Sequence, residues 1–242
     1  MKFILTLLIF GFVTLCSAQI HIENKYEDGT LKEEGNLINN KKNGEWKFYY
    51  PSGKISSEGI YNKGEINGTW KKYDFDGKLI AIEHFVNGLK EGKQKKFYSD
   101  GRIKGVGEMS ENLYIGKWIY FHPNGLKRQE GSYENGEPNG NWIFWDENEV
   151  ITHKGIYKNN EKNGIWTFYD ENGFKSEEIE YLNEIKNGSY IVYSSDGSTP
   201  ILKGAYKENK KEGTWKYYSK RGKLKSEENY LNGEIIKKSS KK

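Results

Sequence analysis

The chain has 242 residues with 38 Lys and Arg against 34 Asp and Glu, a formal net charge of +4. Apolar residues make up only 35% of the chain and charged residues 30%, yet aromatic residues reach 15%. Disordered chains are poor in aromatic residues, so this composition excludes simple disorder. The near balance of charge gives no support for nucleic-acid binding, which requires a concentrated basic face.

The first element in chain order is an apolar N-terminal segment. Residues 3–15 are apolar apart from two threonines and one glycine, and the small residues Cys16 and Ala18 precede Gln19. This pattern predicts a signal peptide over residues 1–18, cleaved between Ala18 and Gln19. The apolar run is shorter than the roughly 20 residues of a membrane span, and no later run reaches that length. We therefore expect an exported protein, in the periplasm, at the cell surface or outside the cell, without an integral membrane span after cleavage.

Cys16 is the only cysteine of the chain. A lipid-anchored cysteine normally follows a small residue, and here Leu15 precedes it, so we predict that the protein is not a lipoprotein. The exported part then has no disulfide, and its stability must come from side-chain packing and strand pairing.

An internal repeat with a period of 24 residues covers the rest of the chain. Its anchor is a Gly-x-Trp motif, and the anchor glycines recur at a spacing of 24 residues six times and then 25. The six complete anchors are Gly44 with Trp46, Gly68 with Trp70, Gly116 with Trp118, Gly140 with Trp142, Gly164 with Trp166, and Gly213 with Trp215. Degenerate copies begin at Gly92 and Gly188. The sequence therefore predicts a degenerate capping repeat over residues 19–43, eight repeats over 44–233 and a basic tail over 234–242.

Each repeat has the pattern of a β-hairpin. In the first copy a strand-like aromatic run from Trp46 to Tyr50 leads into the turn Pro51-Ser52-Gly53, and a second strand follows. Asx-Gly turns between such runs favour hairpins, because glycine adopts a positive φ without steric cost. The return connection, from Asn62 to Gly68, is expected to be longer and polar.

Neighbouring hairpins can cover each other's aromatic side chains, whereas one hairpin alone is marginally stable. The predicted fold is all-β, an elongated, twisted, single-layer antiparallel sheet of tandem hairpins. A closed barrel or propeller is the competing layout. Two copies per propeller blade would produce a 48-residue alternation, which the sequence does not show.

The repeat resembles the bacterial variant of the MORN repeat. The segments from Asn43 to Tyr61 and from Asn163 to Tyr181 show the shared pattern of Asn-Gly-x-Trp, paired aromatics, a glycine turn and Glu-x-x-Tyr most clearly. The resemblance implies hairpins laid side by side and a non-catalytic role in binding proteins or membranes. Some bacterial members are described as YwqK-type antitoxins. The spacing of glycine and aromatic residues is also similar to that of choline-binding cell-wall repeats, although the second Gly-Trp of those repeats is missing here.

Catalytic, cofactor and metal sites are not expected. The four histidines occupy different positions in their repeats, and no recognisable zinc, calcium, phosphate-loop or dinucleotide motif is present. Glutamates such as Glu34 and Glu58 recur in several copies, as on a solvated strand face, whereas a catalytic pair would occur once. We therefore expect a protein that is not an enzyme.

The residue five positions after each anchor glycine is aromatic in every copy. This row is the candidate binding face, and it comprises Tyr49, Tyr73, Phe97, Phe121, Trp145, Tyr169, Tyr193 and Tyr218. Aromatic ladders stack on sugars or cations, but they also form the core of single-layer sheets. The leading hypothesis is a surface for a protein partner. The alternatives are a cell-envelope glycan binder and an antitoxin-like or immunity-like partner of a toxin.

Overall fold

The computed structural model describes residues 18–240, which form one antiparallel sheet of 20 strands. The predicted signal peptide, apart from Ala18, lies outside this range. The strands are β1 (Gln19–Lys25), β2 (Leu31–Ile38), β3 (Lys41–Tyr49), β4 (Ile55–Asn62), β5 (Glu65–Tyr73), β6 (Leu79–Val86), β7 (Leu89–Lys90), β8 (Gly92–Phe97), β9 (Ile103–Ser110), β10 (Leu113–Phe121), β11 (Lys127–Glu134), β12 (Glu137–Trp145), β13 (Ile151–Lys158), β14 (Glu161–Tyr169), β15 (Lys175–Leu182), β16 (Ile185–Tyr193), β17 (Pro200–Lys207), β18 (Lys210–Tyr218), β19 (Leu224–Leu231) and β20 (Glu234–Ser240).

The sheet follows the order of the chain. Each strand pairs with the strands before and after it, and β7 and β8 together occupy one strand position between β6 and β9. Within residues 18–240, β1 pairs only with β2 and β20 only with β19, so the sheet is open. The predicted single-layer sheet of tandem hairpins is confirmed, and the closed layouts are excluded for the described part of the chain.

The first turn of the repeat ends in a glycine, except in the copy at residue 140, where Glu149 stands at this position with a φ of 63°. In the copy at residue 44, Gly53 has a φ of +81° and its N–H donates to the Tyr50 carbonyl at 2.8 Å. The Tyr50 N–H in turn donates to the Lys54 carbonyl at 2.8 Å. This three-residue hairpin connection requires a left-handed residue, which glycine supplies most easily.

The return connection is shorter than the sequence predicts. Asn62 and Glu65 pair directly, and the turn between them consists only of Lys63 and Gly64, with φ of 50° and 95°. Two successive left-handed residues make a type I′ turn, whose twist matches that of the flanking strands. The prediction of a longer polar loop is wrong, because the residues from Glu65 onward continue as β5. In other copies the turn contains no glycine, as at Asn159 and Asn160.

The anchor glycines lie inside strands rather than in turns. Gly68 has a φ of +87°, and the register between β4 and β5 shifts between Gly59 and Tyr61. The anchor therefore makes a β-bulge in every repeat, which bends the strand and strengthens its twist. Glycine suits this position because side chains are strained at positive φ.

The basic tail predicted for residues 234–242 is instead a strand over the part that the structure describes. Asn232 and Gly233 form another type I′ turn with φ of 52° and 91°, so the chain reverses and pairs as β20. Lys238 Nζ lies 2.7 Å from the Glu228 carboxylate on β19. The missing Gly-x-Trp motif concealed this last strand in the sequence.

Candidate interaction surface

The repeated tryptophans lie on one face of the sheet, here called the tryptophan face, and each covers a glycine of the preceding repeat. Trp46, Trp118 and Trp166 are at most 1% exposed although the sheet has a single layer. A Cβ on Gly131 would lie 2.1 Å from Cδ2 of Trp142, so only glycine leaves room for the ring. The six such pairs are Gly35–Trp46, Gly59–Trp70, Gly107–Trp118, Gly131–Trp142, Gly155–Trp166 and Gly204–Trp215.

Hydrogen bonds and neighbouring side chains hold these rings in place. The indole N–H of Trp118 donates to the Glu108 carbonyl at 2.9 Å, ten residues earlier in the chain. Tyr133 meets Trp142 edge to face at a centroid distance of 5.2 Å. Lys211 Nζ lies 4.2 Å from the Trp215 ring centroid. The tryptophan row therefore packs one repeat against the next and is already covered.

The opposite face, here called the charged face, has a ladder of lysines and glutamates. The cross-strand sequence runs through Glu34, Lys47, Glu58 and Lys71, which are paired from β2 to β5. The eight aromatics of the candidate binding face lie on this same face, and all of them are half-buried. The structure thus brings the predicted aromatic row together with the recurrent glutamates.

In three repeats, a tyrosine of this row donates its hydroxyl to a glutamate of the preceding repeat. The O–O distances are 2.5 Å from Tyr49 to Glu34, 2.7 Å from Tyr73 to Glu58 and 2.6 Å from Tyr193 to Glu178. Burial, and then the bond to Glu58, raises the pKa of Tyr73 to about 12. The tyrosine bond lowers the pKa of Glu58, although burial opposes this. These tyrosines are fixed by contacts within the sheet.

The charged ladder is interrupted in the middle of the sheet. Ile82 and Val106 stand where other repeats have Glu34 and Glu58, and the aromatic partners there are Phe97 and Phe121, which have no hydroxyl. Ile82 pairs across β6 and β8 with Lys95, Lys95 with Val106, and Val106 with Ile119. We call Ile82, Phe97, Val106, Ile119 and Phe121 the apolar patch.

At the same place the tryptophan face has polar side chains where other repeats have apolar ones. Glu83 and Gln94 occupy the positions of the glycine and the tryptophan, and they are 8% and 3% exposed. The Gln94 amide donates to the His84 carbonyl at 3.1 Å and so reproduces the bond of an indole N–H. Burial would raise the pKa of Glu83, but Lys90 and Lys72, 2.6 and 2.9 Å away, outweigh it and lower the pKa. Where the copies at residues 68 and 92 meet, the tryptophan face is thus polar, whereas at most other junctions it is apolar, and the charged face is apolar.

Possible metal ligands come together at the N-terminal edge. Ligand atoms of His21, Glu23 and Glu34 lie within 4.8 Å of one another, and Glu34 also accepts the Tyr49 hydroxyl. His21 and Glu23 are exposed on the edge strand. In the part of the chain that the structure describes, no helix is long and apolar enough to cross a membrane.

An open sheet in which every hairpin packs on the one before it defines a β-hairpin repeat protein. Five segments match a family model described as MORN repeat variant, and they cover residues 42–63, 66–87, 114–135, 162–183 and 211–232. The chain is therefore a β-sheet protein of MORN repeat variants. The three copies outside the match are those in which Gln94 or Tyr190 replaces the tryptophan or Glu149 replaces the turn glycine.

Other comparisons add two structural neighbours. No curated protein matches the chain. A crystal structure of TcdB2-TccC3-TEV is similar at 10% sequence identity over 88% of this chain, with a TM-score of 0.21. The Tc holotoxin pore of Photorhabdus luminescens is similar at 11% identity over 91% of this chain, with a TM-score of 0.18. This chain spans 14% and 16% of the lengths of those two chains.

Proposed function

We propose that the chain is an exported, non-enzymatic scaffold that presents its long β-surface to a protein partner. The burial of the tryptophan row supports this proposal more than any other observation. Trp46, Trp118, Trp166 and Trp215 are at most 1% exposed, so these rings are already used in packing repeat on repeat. A glycan binder would need aromatic faces open to solvent, on which sugar rings stack.

The aromatics of the charged face are less covered, and three of them are tied to glutamates by their hydroxyls. What remains accessible is a long strip of mixed charge with an apolar interruption. Such a mixture of polar rim and apolar centre is typical of protein interfaces. The glycan and antitoxin functions stay alternatives, the second of them suggested only by the family resemblance.

The proposed function is tested by capture in the native host. The full-length chain of 242 residues, tagged at its C-terminus, is cross-linked in cells and recovered from envelope extracts, and its N-terminus is sequenced. We expect a sequence beginning at Gln19 and one abundant protein partner whose recovery is unaffected by cell-wall saccharides. A retained Met1 or a lipid on Cys16 would contradict export. Partner recovery that soluble saccharides abolish, with a saturable change in tryptophan fluorescence, would favour the glycan alternative.

A further inference from the structure

The apolar patch on the charged face is a joint replacement at two positions, not a scatter of single changes. In three repeats the glutamate has a tyrosine as its partner, as in Glu58–Tyr73, and Glu130 has Trp145; where the repeat has Ile82 or Val106 the partner is phenylalanine. Loss of either group alone would leave a carboxylate or a hydroxyl without its partner. The two changes together place apolar side chains on β6, β8, β9 and β10, with Lys95 between Ile82 and Val106 in the cross-strand row.

The patch has an accessible centre. A shallow groove of about 460 Å³ runs over it and is lined by Val106 and Ile119 together with Lys93, Lys95 and Lys117. Four strands at about 4.8 Å make the patch about 19 Å wide. That width matches a helix of about 13 residues at 1.5 Å per residue. Because the face of a sheet has its backbone groups paired internally, a partner must bind it with side chains, as a helix packed on a sheet does.

The charge around the patch selects the partner. The lining of the groove contains three lysines, Lys93, Lys95 and Lys117, and one acidic residue, Glu108, which pairs with Lys93 across β8 and β9. On the charged face Lys95 lies between Ile82 and Val106, and Lys93 lies two residues before it on the same strand. A second copy of the chain would place these lysines against each other, which disfavours self-association through this face.

We propose that the apolar patch docks an acidic amphipathic helix of a protein partner. Apolar side chains of the helix cover Ile82, Val106 and Ile119, and its Asp and Glu residues meet Lys93 and Lys95. This rests on the proposed protein-binding function and assigns its site. Anionic membranes are the less favoured ligand, because the groove is lined by three lysines, whereas polybasic lipid sites usually have clusters of about 4–8 basic residues.

The test uses the whole mature chain and two fluorescein-labelled 18-residue peptides. Both peptides have the same Leu and Ala stripe at helical spacing, and their polar positions are all Glu in one and all Lys in the other. Binding is measured by fluorescence anisotropy at about 0.1 M salt. We expect the acidic peptide to bind at least 10-fold more tightly than the basic one.

Two double variants restore in the patch the pair that other repeats have, namely I82E/F97Y and V106E/F121Y. Because the same pairs occur as Glu34–Tyr49 and Glu178–Tyr193, the variants keep a residue combination that this sheet already accommodates. Each should weaken binding of the acidic peptide at least 10-fold with an unchanged circular dichroism spectrum. The matched control is Ile191→Lys, on the same face but outside the patch, and it should bind as the wild type does.

Three results of the peptide and vesicle measurements would overturn the assignment. They are equal binding of both peptides, unchanged binding by the restored-pair variants, or patch-dependent binding to phosphatidylserine vesicles without binding of the acidic peptide. A dimer that the restored pairs abolish in sedimentation would assign the patch to a second copy instead. If the restored-pair variants still capture the native envelope partner, this site is wrong while the proposed function stands. If the wild type captures no partner, the proposed function itself fails.

Discussion

The indole ring of Trp142 lies directly over Gly131 of the neighbouring strand, with no room for a side chain between them. A Cβ built on Gly131 would lie 2.1 Å from Cδ2 and 2.2 Å from Cε2 of the indole. Gly131 has no positive φ, so its requirement for glycine comes from the ring and not from the backbone. Because the two residues belong to successive repeats, the contact is an interface between repeats.

Gly131→Ala should therefore destabilise the protein through overpacking, by about 1–3 kcal/mol. Trp142→Ala should cost about 3–5 kcal/mol, as for a buried large aromatic residue. The two losses should not add in the double variant, because the alanine methyl group then has no ring to meet. Chemical unfolding followed by circular dichroism measures all four proteins. Additive losses would show that the glycine is required for another reason.

The same relationship explains the exceptions in the row. The sheet departs from the Gly–Trp pair at three positions, and at each of them both residues differ. Glu83 faces Gln94, Ile179 faces Tyr190, and Glu228 faces Lys238. A ring cannot cover a position that has a side chain, so the two residues must change together. Comparison of the repeats within this one chain thus shows that a tryptophan at this position requires a glycine opposite it.

Restoring the usual glycine and tryptophan at Glu83 and Gln94, where the copies at residues 68 and 92 meet, tests this rule. Gln94→Trp alone should lose stability by about 1–3 kcal/mol, because the new ring meets the Glu83 side chain. The double variant E83G/Q94W should recover that loss and equal or exceed the wild type, since packed apolar groups often replace a buried ion pair without loss. Equilibrium denaturation midpoints give the comparison. A double variant less stable than Q94W would mean that the ion pairs of Glu83 with Lys72 and Lys90 dominate.

The sequence predicted the hairpins and the period because both depend on neighbouring residues. Turn glycines and alternating strands are local signals, and the anchor Gly-x-Trp marks each copy. The partners of Trp142 and Tyr73 lie in the preceding repeat, so no local pattern shows them. Residues that differ together from the repeat pattern, as Ile82 and Phe97 do, were the signal in the sequence from which contacts between repeats could have been inferred. The type I′ turn at Asn159 and Asn160 was not predicted, because it contains no glycine. The last strand, β20, was not predicted, because it has no tryptophan.

The hydroxyl bond from Tyr73 to Glu58 makes the stability of the sheet depend on pH in the alkaline range. Folding raises the pKa of Tyr73 to about 12, above its ordinary value of about 10. A group with a raised pKa stabilises the fold while it is protonated, so its contribution is complete below pH 10 and disappears as the pH rises toward 12.

Tyr73→Phe should thus cost about 0.5–1.5 kcal/mol at pH 8, the usual net contribution of a hydrogen bond. The difference between wild type and variant should shrink at pH 11 and approach zero near pH 12. Urea unfolding of both proteins at these three pH values measures it, with Phe168→Tyr on the other face as a control for adding a hydroxyl. A difference that stays constant to pH 12 would contradict the role of the hydroxyl proton.

The last prediction concerns the modular construction of the sheet. Deleting residues 116–139 removes 24 residues, one whole repeat, and joins Ile115 to Gly140. Trp142 then follows a strand whose Gly107 occupies the position that Gly131 had, so the glycine and the ring still meet. Repeat proteins tolerate such changes because each unit contacts mainly its neighbours. We expect a folded protein with an unchanged circular dichroism spectrum per residue.

Deleting only residues 116–127 is the matched control for this experiment. It removes most of β10 and its turn, so the remaining β11 follows β9 directly and two strands of the same type become neighbours. Counted from Ile115, Glu130 then stands where Trp118 stood opposite Gly107, so the tryptophan face loses one ring and no aromatic side chain covers the glycine. This variant should unfold at lower denaturant concentration than the 24-residue deletion, although it retains more of the chain. Equal stability of the two deletions would show that the contacts between successive repeats do not determine the stability of the sheet.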